Sequence, residues 1–277
     1  MSWSVIAKKN FQDAMRSRML WGLTALFVLF MAGMAYLFQV FTESGGTGDP
    51  TVDTLGLIAF LSSPVTLLVP ITGLVVGHKA IAGEVESGSA KLLLSLPHSR
   101  RDAVVGKVVG RAAVLSLSIL VGLVASLLVM VALYDEYTLT SFAIFGVFSL
   151  VLGAVYTAIG VGISSLTNDS GRATIGAAGF YLLVEFILPL IPTGLVALLD
   201  LQVSSDAVWP FVFNVLPPSG AYTFALANFV PEAGFGVALG SLPDSIVFDG
   251  VTMVALLVAW FVLAPLVGYL RFNGRDL

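Results

Sequence analysis

Six long stretches of this chain are almost free of charge: residues 19–42, 54–77, 112–134, 137–168, 173–199 and 250–270, with Glu185 the one ionisable carboxyl among them. A helix needs roughly 20 apolar residues to cross the hydrocarbon core of a bilayer, and each stretch is that long. Inside lipid a segment must satisfy its own backbone hydrogen bonds, so each is expected to be helical. The fold class that follows is all-α, a polytopic membrane protein with six transmembrane helices in a single domain over 1–277. Composition leaves little room for a water-soluble domain. The chain is 57% hydrophobic and 11% charged, against about 25% charged residues in ordinary soluble domains. With no cysteine, disulfides, iron–sulfur clusters and cysteine-based zinc sites are excluded.

The cations orient the spans. With the N-terminus inside, all thirteen Lys and Arg fall on inner segments 1–18, 78–111, 167–172 and 271–277. The outer segments 43–53, 135–136 and 200–249 carry ten carboxylates and no Lys or Arg. That asymmetry places both termini in the cytoplasm of a multi-pass cell-membrane protein. It also decides the uncharged stretch 207–231, because a seventh crossing would export Arg271 and Arg275. Pro210, Asn214, Pro217, Pro218 and Gly220 interrupt it, so re-entrant or interfacial helices on the outer side are expected. Trp209, Phe211, Phe213, Tyr222, Phe224 and Phe229 suit the membrane–water boundary. Within the spans, Pro64, Pro70, Pro189 and Pro192 predict kinks or unwound turns.

Residues 1–18 read as a separate amphipathic helix on the inner leaflet. Trp3, Ile6, Ala7, Phe11, Ala14 and Met15 share one half of the helical projection; Lys9, Gln12, Asp13 and Arg16 share the other. The apolar run that follows is too long for a cleavable signal.

The segment 78–111 gathers six cations, Glu84, Glu86, Asp102 and both histidines. Its punctuation predicts an elbow. The second span continues as helix through His78 to Glu86, and Gly88 offers a break. A short helical piece, Ala90 to Leu94, precedes Pro97. Ser99 and Asp102 then form a capping-box pattern that opens the helix of the third span.

The run "AGEVESGSAKLLLSLPHSRRDAVVGKVVG" at 82–110 resembles the ABC type-2 transporter permeases. It carries "E-x-G-[ST]" after the second span, "LLS-x-P-x-SR", and "GK" entering the third. The N-terminal amphipathic helix, the six spans, the large outer segment before the last span and "LPPSGAY" at 216–222 are similar too. The resemblance implies the membrane half of an ATP-driven exporter. Two permease copies, as a homodimer or a heterodimer, would sit on two separate ABC ATPase subunits. Glu84, Glu86, Ser87 and Gly88 would then be the coupling element docked in an ATPase groove, with ATP and Mg²⁺ bound by the partner and no cofactor in this chain. No G-x-x-x-x-G-K-[ST] phosphate cradle occurs here, and nothing points to a nucleic acid partner.

Arg100 and Arg101 are candidates for partner contact or for anionic lipid headgroups. Arg172 is either a second ATPase contact or a charge that orients its loop. Glu185 lies about halfway along the fifth span, where a carboxylate is costly. It is either a group on the translocation path, with Pro189, Pro192, Pro64 and Pro70 as further path candidates, or a hydrogen-bonded carboxyl that fastens helices together. His78 and His98 lack a third ligand, so no metal site is expected.

Two other classes compete. An ion-coupled secondary transporter needs broken helices with polar groups at mid-depth and, often, inverted repeats; the broken spans and Glu185 are permissive, but no repeat stands out. A non-transporting scaffold or sensor needs none of these features. An intramembrane enzyme lacks its parts, since neither H-E-x-x-H nor G-x-S-x-G is present.

Overall fold

The computed structural model of the protein describes residues 2–15, 17–45, 50–89, 99–134, 137–202, 204, 207–233 and 245–274. The expected short helix at 90–94, Pro97 and His98 lie outside the described residues, as does 234–244 of the outer segment. Among the described residues every regular element is helical. In chain order these are α1 (Ser2–Met15), α2 (Arg18–Gly45), α3 (Pro50–Gly77), α4 (Ala82–Glu86) and α5 (Arg100–Leu133). Then come α6 (Leu139–Ser165), α7 (Ser170–Tyr181), a π-helical turn (Leu182–Ile187), α8 (Leu188–Leu199), α9 (Trp209–Val215), α10 (Pro218–Phe229) and α11 (Gly250–Asn273).

Six helical stretches are long and apolar enough to span: Arg18–Thr42, Leu55–Glu86, Arg100–Leu133, Leu139–Ser165, Ser170–Leu199 and Gly250–Asn273. They coincide with the six apolar runs. The fourth, α6, is the hub. In its most apolar window 67% of residues are buried, against 11% in the fifth and sixth spans. Glycine is what lets neighbours approach it, as small residues do between membrane helices. A Cβ at Gly160 would lie 2.9 Å from the Cα of Gly77 on α3, and one at Gly268 on α11 would lie 2.4 Å from the Gly162 carbonyl. Residues 160–165 are thus a crossing point for two other spans.

The prolines act unequally. Pro64 and Pro70 lie within α3, which runs through both without an unwound turn. In the fifth span the helix widens just before Pro189: the Leu188 N–H reaches back to Leu183 O, a π-type bond. Proline has no N–H to return to the carbonyl four residues back, so a wide turn there re-routes the ladder.

α1 is helical, but its apolar face is not simply turned to lipid. Ile6 and Ala7 are buried against α5, where a Cβ at Gly106 would sit 2.8 Å from Ile6 and one at Gly110 would sit 2.9 Å from the Ala7 carbonyl. Trp3 and Met15 remain exposed, as do Lys8, Lys9, Gln12 and Asp13.

Between the fifth and sixth spans the chain folds into a hairpin of α9 and α10 around Leu216–Pro217. Trp260, near the middle of α11, donates its indole N–H to Leu216 O at 2.9 Å. Tyr222 is not a boundary ring: it is fully buried and hydrogen-bonded to Ser149 Oγ at 3.2 Å. Phe211 and Phe224 pack against Phe248, at 6.2 Å and 6.1 Å between centroids. Trp209 and Phe229 stay exposed.

Candidate functional site

The elbow after the second span is tied to three other spans. α3 stops at Gly77 instead of continuing through His78, and residues 78–81 form a turn before α4. The stop has a local cause. Gly77 meets Gly160 and the Thr157 carbonyl too closely for any side chain, and the hydroxyl of Ser164 accepts from the N–H groups of both Ile81 and Ala82, each at 3.0 Å. A helix that begins afresh has orphan N–H groups to satisfy, and Ser164 supplies that acceptor from α6. At the other end, Arg111 donates its guanidinium to Val76 O, one of the last carbonyls of α3.

From α4 the Glu84 carboxylate pairs with the ammonium of Lys107 on α5. Lys107 Nζ also stands 3.5 Å from Asn10 Oδ1 on α1. Glu86 accepts from the backbone N–H of Ser170 at 3.0 Å. Ser170 opens α7, so this carboxylate sits at the positive end of the fifth span's helix, beside Asp169, which caps it through Arg172 N at 2.7 Å. Gly88 has φ of +74°, a left-handed turn that suits glycine, and ends the element. Glu86, Ser87 and Gly88 are exposed, forming a tip whose root is clamped.

The arginines divide. Arg100 donates to the carbonyls of Phe272 at 2.7 Å and Asn273 at 3.1 Å, with its guanidinium 5.4 Å from the Phe272 ring centroid. It therefore caps the end of the sixth span. Arg101 and Arg172 are exposed. Ser99 and Asp102 form the capping box expected at the start of α5, the Ser99 side chain accepting from Asp102 N and the Asp102 carboxylate from Ser99 N. Lys107, Arg111, Ser164 and Ser170 were not singled out from the sequence. Lys107 lies in the "GK" of the motif, but its neighbour across the elbow is 23 residues away.

The second polar centre is Glu185, on the π-helical turn. One carboxyl oxygen accepts from Tyr156 Oη on α6 and the other from Ser219 Oγ at the start of α10. Both hydroxyls are buried. The carboxyl thus joins the fourth span, the fifth span and the α9–α10 hairpin. Beside it is a cavity of about 140 Å³ whose wall includes Pro189, Thr66, Asn214 and Thr223. Pro64, Pro70 and Pro192 do not line it. Tyr156 and Thr66 gave no signal in the sequence, and Asn214 and Ser219 were legible only as parts of the broken 207–231 stretch, because only the folded hairpin brings them to Glu185.

Six spans around a glycine-rich fourth helix, with a clamped elbow between the second and third, define a polytopic membrane protein of the transporter type. Residues 4–277 match the family described as ABC-2 family transporter protein, and the chain belongs to that family. Among curated proteins it is 29% identical over 277 residues to the probable ABC transporter permease protein NosY of Stutzerimonas stutzeri, covering 98% of this chain and 97% of that one. It is 31% identical over 238 residues to the protein of the same name from Pseudomonas aeruginosa, covering 84% of each.

Proposed function

We propose that this chain is the permease half of an ABC exporter in the cell membrane, with cytoplasmic termini, working as a pair of permease copies on two separate ATPase subunits that bind ATP and Mg²⁺. What supports the reading most is the construction of the elbow. Its exposed tip, Glu86 to Gly88, is tied at its root to the third span through Glu84–Lys107 and to the fourth through Ser164, and at Glu86 itself to the fifth through Ser170. A push on that tip reaches three helices at once instead of bending a loose loop. Acidic Glu86 at the tip suits a basic groove on an ATPase.

In this scheme closure of the ATPase pair drives the tip toward the membrane, and the clamped root tilts the spans that frame the path. The α9–α10 hairpin, read as re-entrant from the outer side, closes that path outward. Glu185 holds it shut by bonding Ser219 while anchored on Tyr156. The apolar walls of the second and fifth spans favour a hydrophobic or lipid-like cargo.

Co-purification of the chain with an ABC ATPase from the same genome tests this. Glu86→Lys, which reverses charge at an exposed position, is expected to abolish ATPase association or to uncouple hydrolysis from transport while leaving membrane insertion intact. Unaltered association and transport in that variant would refute the docking role.

A further inference from the structure

Next to Arg100, between α5 and α11, is a groove whose one formal charge among the described residues is Arg101. The ends of α5 and α11 are fastened by the Arg100 bonds to Phe272 and Asn273. Beyond that fastening the two helices part, leaving a groove of about 450 Å³. Val104 and Val108 form its buried floor. Val105 and Val109 on one rim, and Val262 and Leu266 on the other, are exposed. On α5 the residues recur as 101, 104, 105, 108 and 109, one face of a helix. On α11 the face runs from Phe261 to Tyr269, a length of about 12 Å at 1.5 Å per residue.

The polarity of this groove is confined to one end. Arg101 and the Tyr269 hydroxyl sit there, on the side where all the cations of the chain gather. Arg100 is spent on backbone carbonyls, whereas the exposed Arg101 has no hydrogen bond or ion pair among the described residues. A cation at the head of a long apolar slot is complementary to one molecule present on every side of such a protein: a phospholipid with a negative headgroup. We infer that the α5–α11 groove holds an acyl chain of an anionic phospholipid, with its phosphate at Arg101 and Tyr269. The lipid fills the gap that Pro265 and the valine rims leave open, and so stiffens the junction between the third and sixth spans. The inference stands independently of any ATPase docking.

Native mass spectrometry of the full chain tests it, after reconstitution in vesicles of equal phosphatidylglycerol and phosphatidylcholine and gentle extraction. The expected result is one retained lipid per chain, with phosphatidylglycerol favoured about fivefold, the preference one interfacial cation confers. Arg101→Gln should bring the ratio to about one. Arg271→Gln, which alters an exposed cation outside the groove, should leave it unchanged. Leu266→Trp should fill the slot and remove the retained lipid, with Val105→Trp from the opposite rim as the alternative should the first variant lose its helical signal. Equal retention of the two lipids by the native chain would overturn the inference, as would a preference that survives Arg101→Gln or retention undiminished by the tryptophans.

Discussion

Lys107 and Glu84 form an ion pair across the elbow in which the lysine side chain is 3% exposed and the glutamate 32%. The asymmetry of burial predicts an asymmetry of mutational cost. Glu84→Gln keeps an acceptor oxygen but removes the charge that balances an ammonium group water barely reaches, and breaking such a buried ion pair costs about 3 kcal/mol. Lys107→Met leaves a carboxylate with a third of its surface in solvent, and the methionine fills the vacated space, so about 1 kcal/mol is expected. The double variant should be more stable than Glu84→Gln alone. Thermal unfolding of the detergent-solubilised chain reads all three, and equal losses in the two single variants would contradict the burial argument.

Neighbouring serines at the C-terminal end of α6 make opposite uses of their hydroxyls. Ser164 accepts from two backbone donors of another segment, whereas Ser165 donates only to Val161 O, one turn back in its own helix, at 2.8 Å. Ser164→Ala leaves two buried N–H groups without a partner, at about 1–3 kcal/mol each. Ser165→Ala costs less than about 1 kcal/mol, since the carbonyl keeps its helical partner. Hydrogen exchange should find the amides of Ile81 and Ala82 deprotected in the first variant and unchanged in the second.

The difference between these serines marks where sequence reading stops. The six spans, the cation asymmetry, the Ser99 capping box and the Gly88 break are local patterns of hydropathy, charge and turn chemistry, and the structure contains each of them. The elbow's root is different: Glu84 meets Lys107, and Ile81 meets Ser164, only after the second, third and fourth spans have packed. Arg100 is instructive in the same way. Its charge was legible as part of the cation-bearing loop, but its partners, Phe272 and Asn273, are 172 and 173 residues distant. For α1, amphipathicity was visible, while the glycines at 106 and 110 that receive its apolar face belong to another helix. Tyr222 looked like a boundary aromatic because period and composition cannot distinguish a ring facing lipid from one buried against Ser149.

Gly220 holds the α9–α10 hairpin closed. A Cβ there would fall 1.9 Å from the Asn214 carbonyl oxygen, so the two helices cannot remain this close around any other residue. Gly220→Ala should cost about 1–3 kcal/mol, the usual penalty of overpacking, and should widen the hairpin. Gly194, with nothing within 4 Å of its would-be Cβ, is the control: as a mid-helix glycine it should gain about 0.5–1 kcal/mol on change to alanine. Melting temperatures that fall for the first and rise for the second would establish the contrast, and a neutral Gly220→Ala would show that the turn relaxes freely.

Glu185 spends both carboxyl oxygens on hydroxyl donors, and that separates fastening from transport chemistry. Replacing it with leucine leaves the fully buried Tyr156 hydroxyl without an acceptor and frees Ser219 at the head of the hairpin. Glu185→Leu should therefore destabilise by about 1–3 kcal/mol, and Tyr156→Phe by about 1 kcal/mol, the scale of hydrogen bonds between membrane helices. Once the carboxyl is gone, removing the tyrosine hydroxyl relieves an unpaired donor. The double variant should thus lose less than the sum of the single losses, by about 1 kcal/mol. Glu185→Gln keeps an acceptor oxygen and should fall between the native chain and the leucine variant. Unfolding of all four proteins in the same detergent measures the cycle, and strict additivity would mean that the Tyr156–Glu185 bond contributes nothing to holding the hairpin against the fourth span.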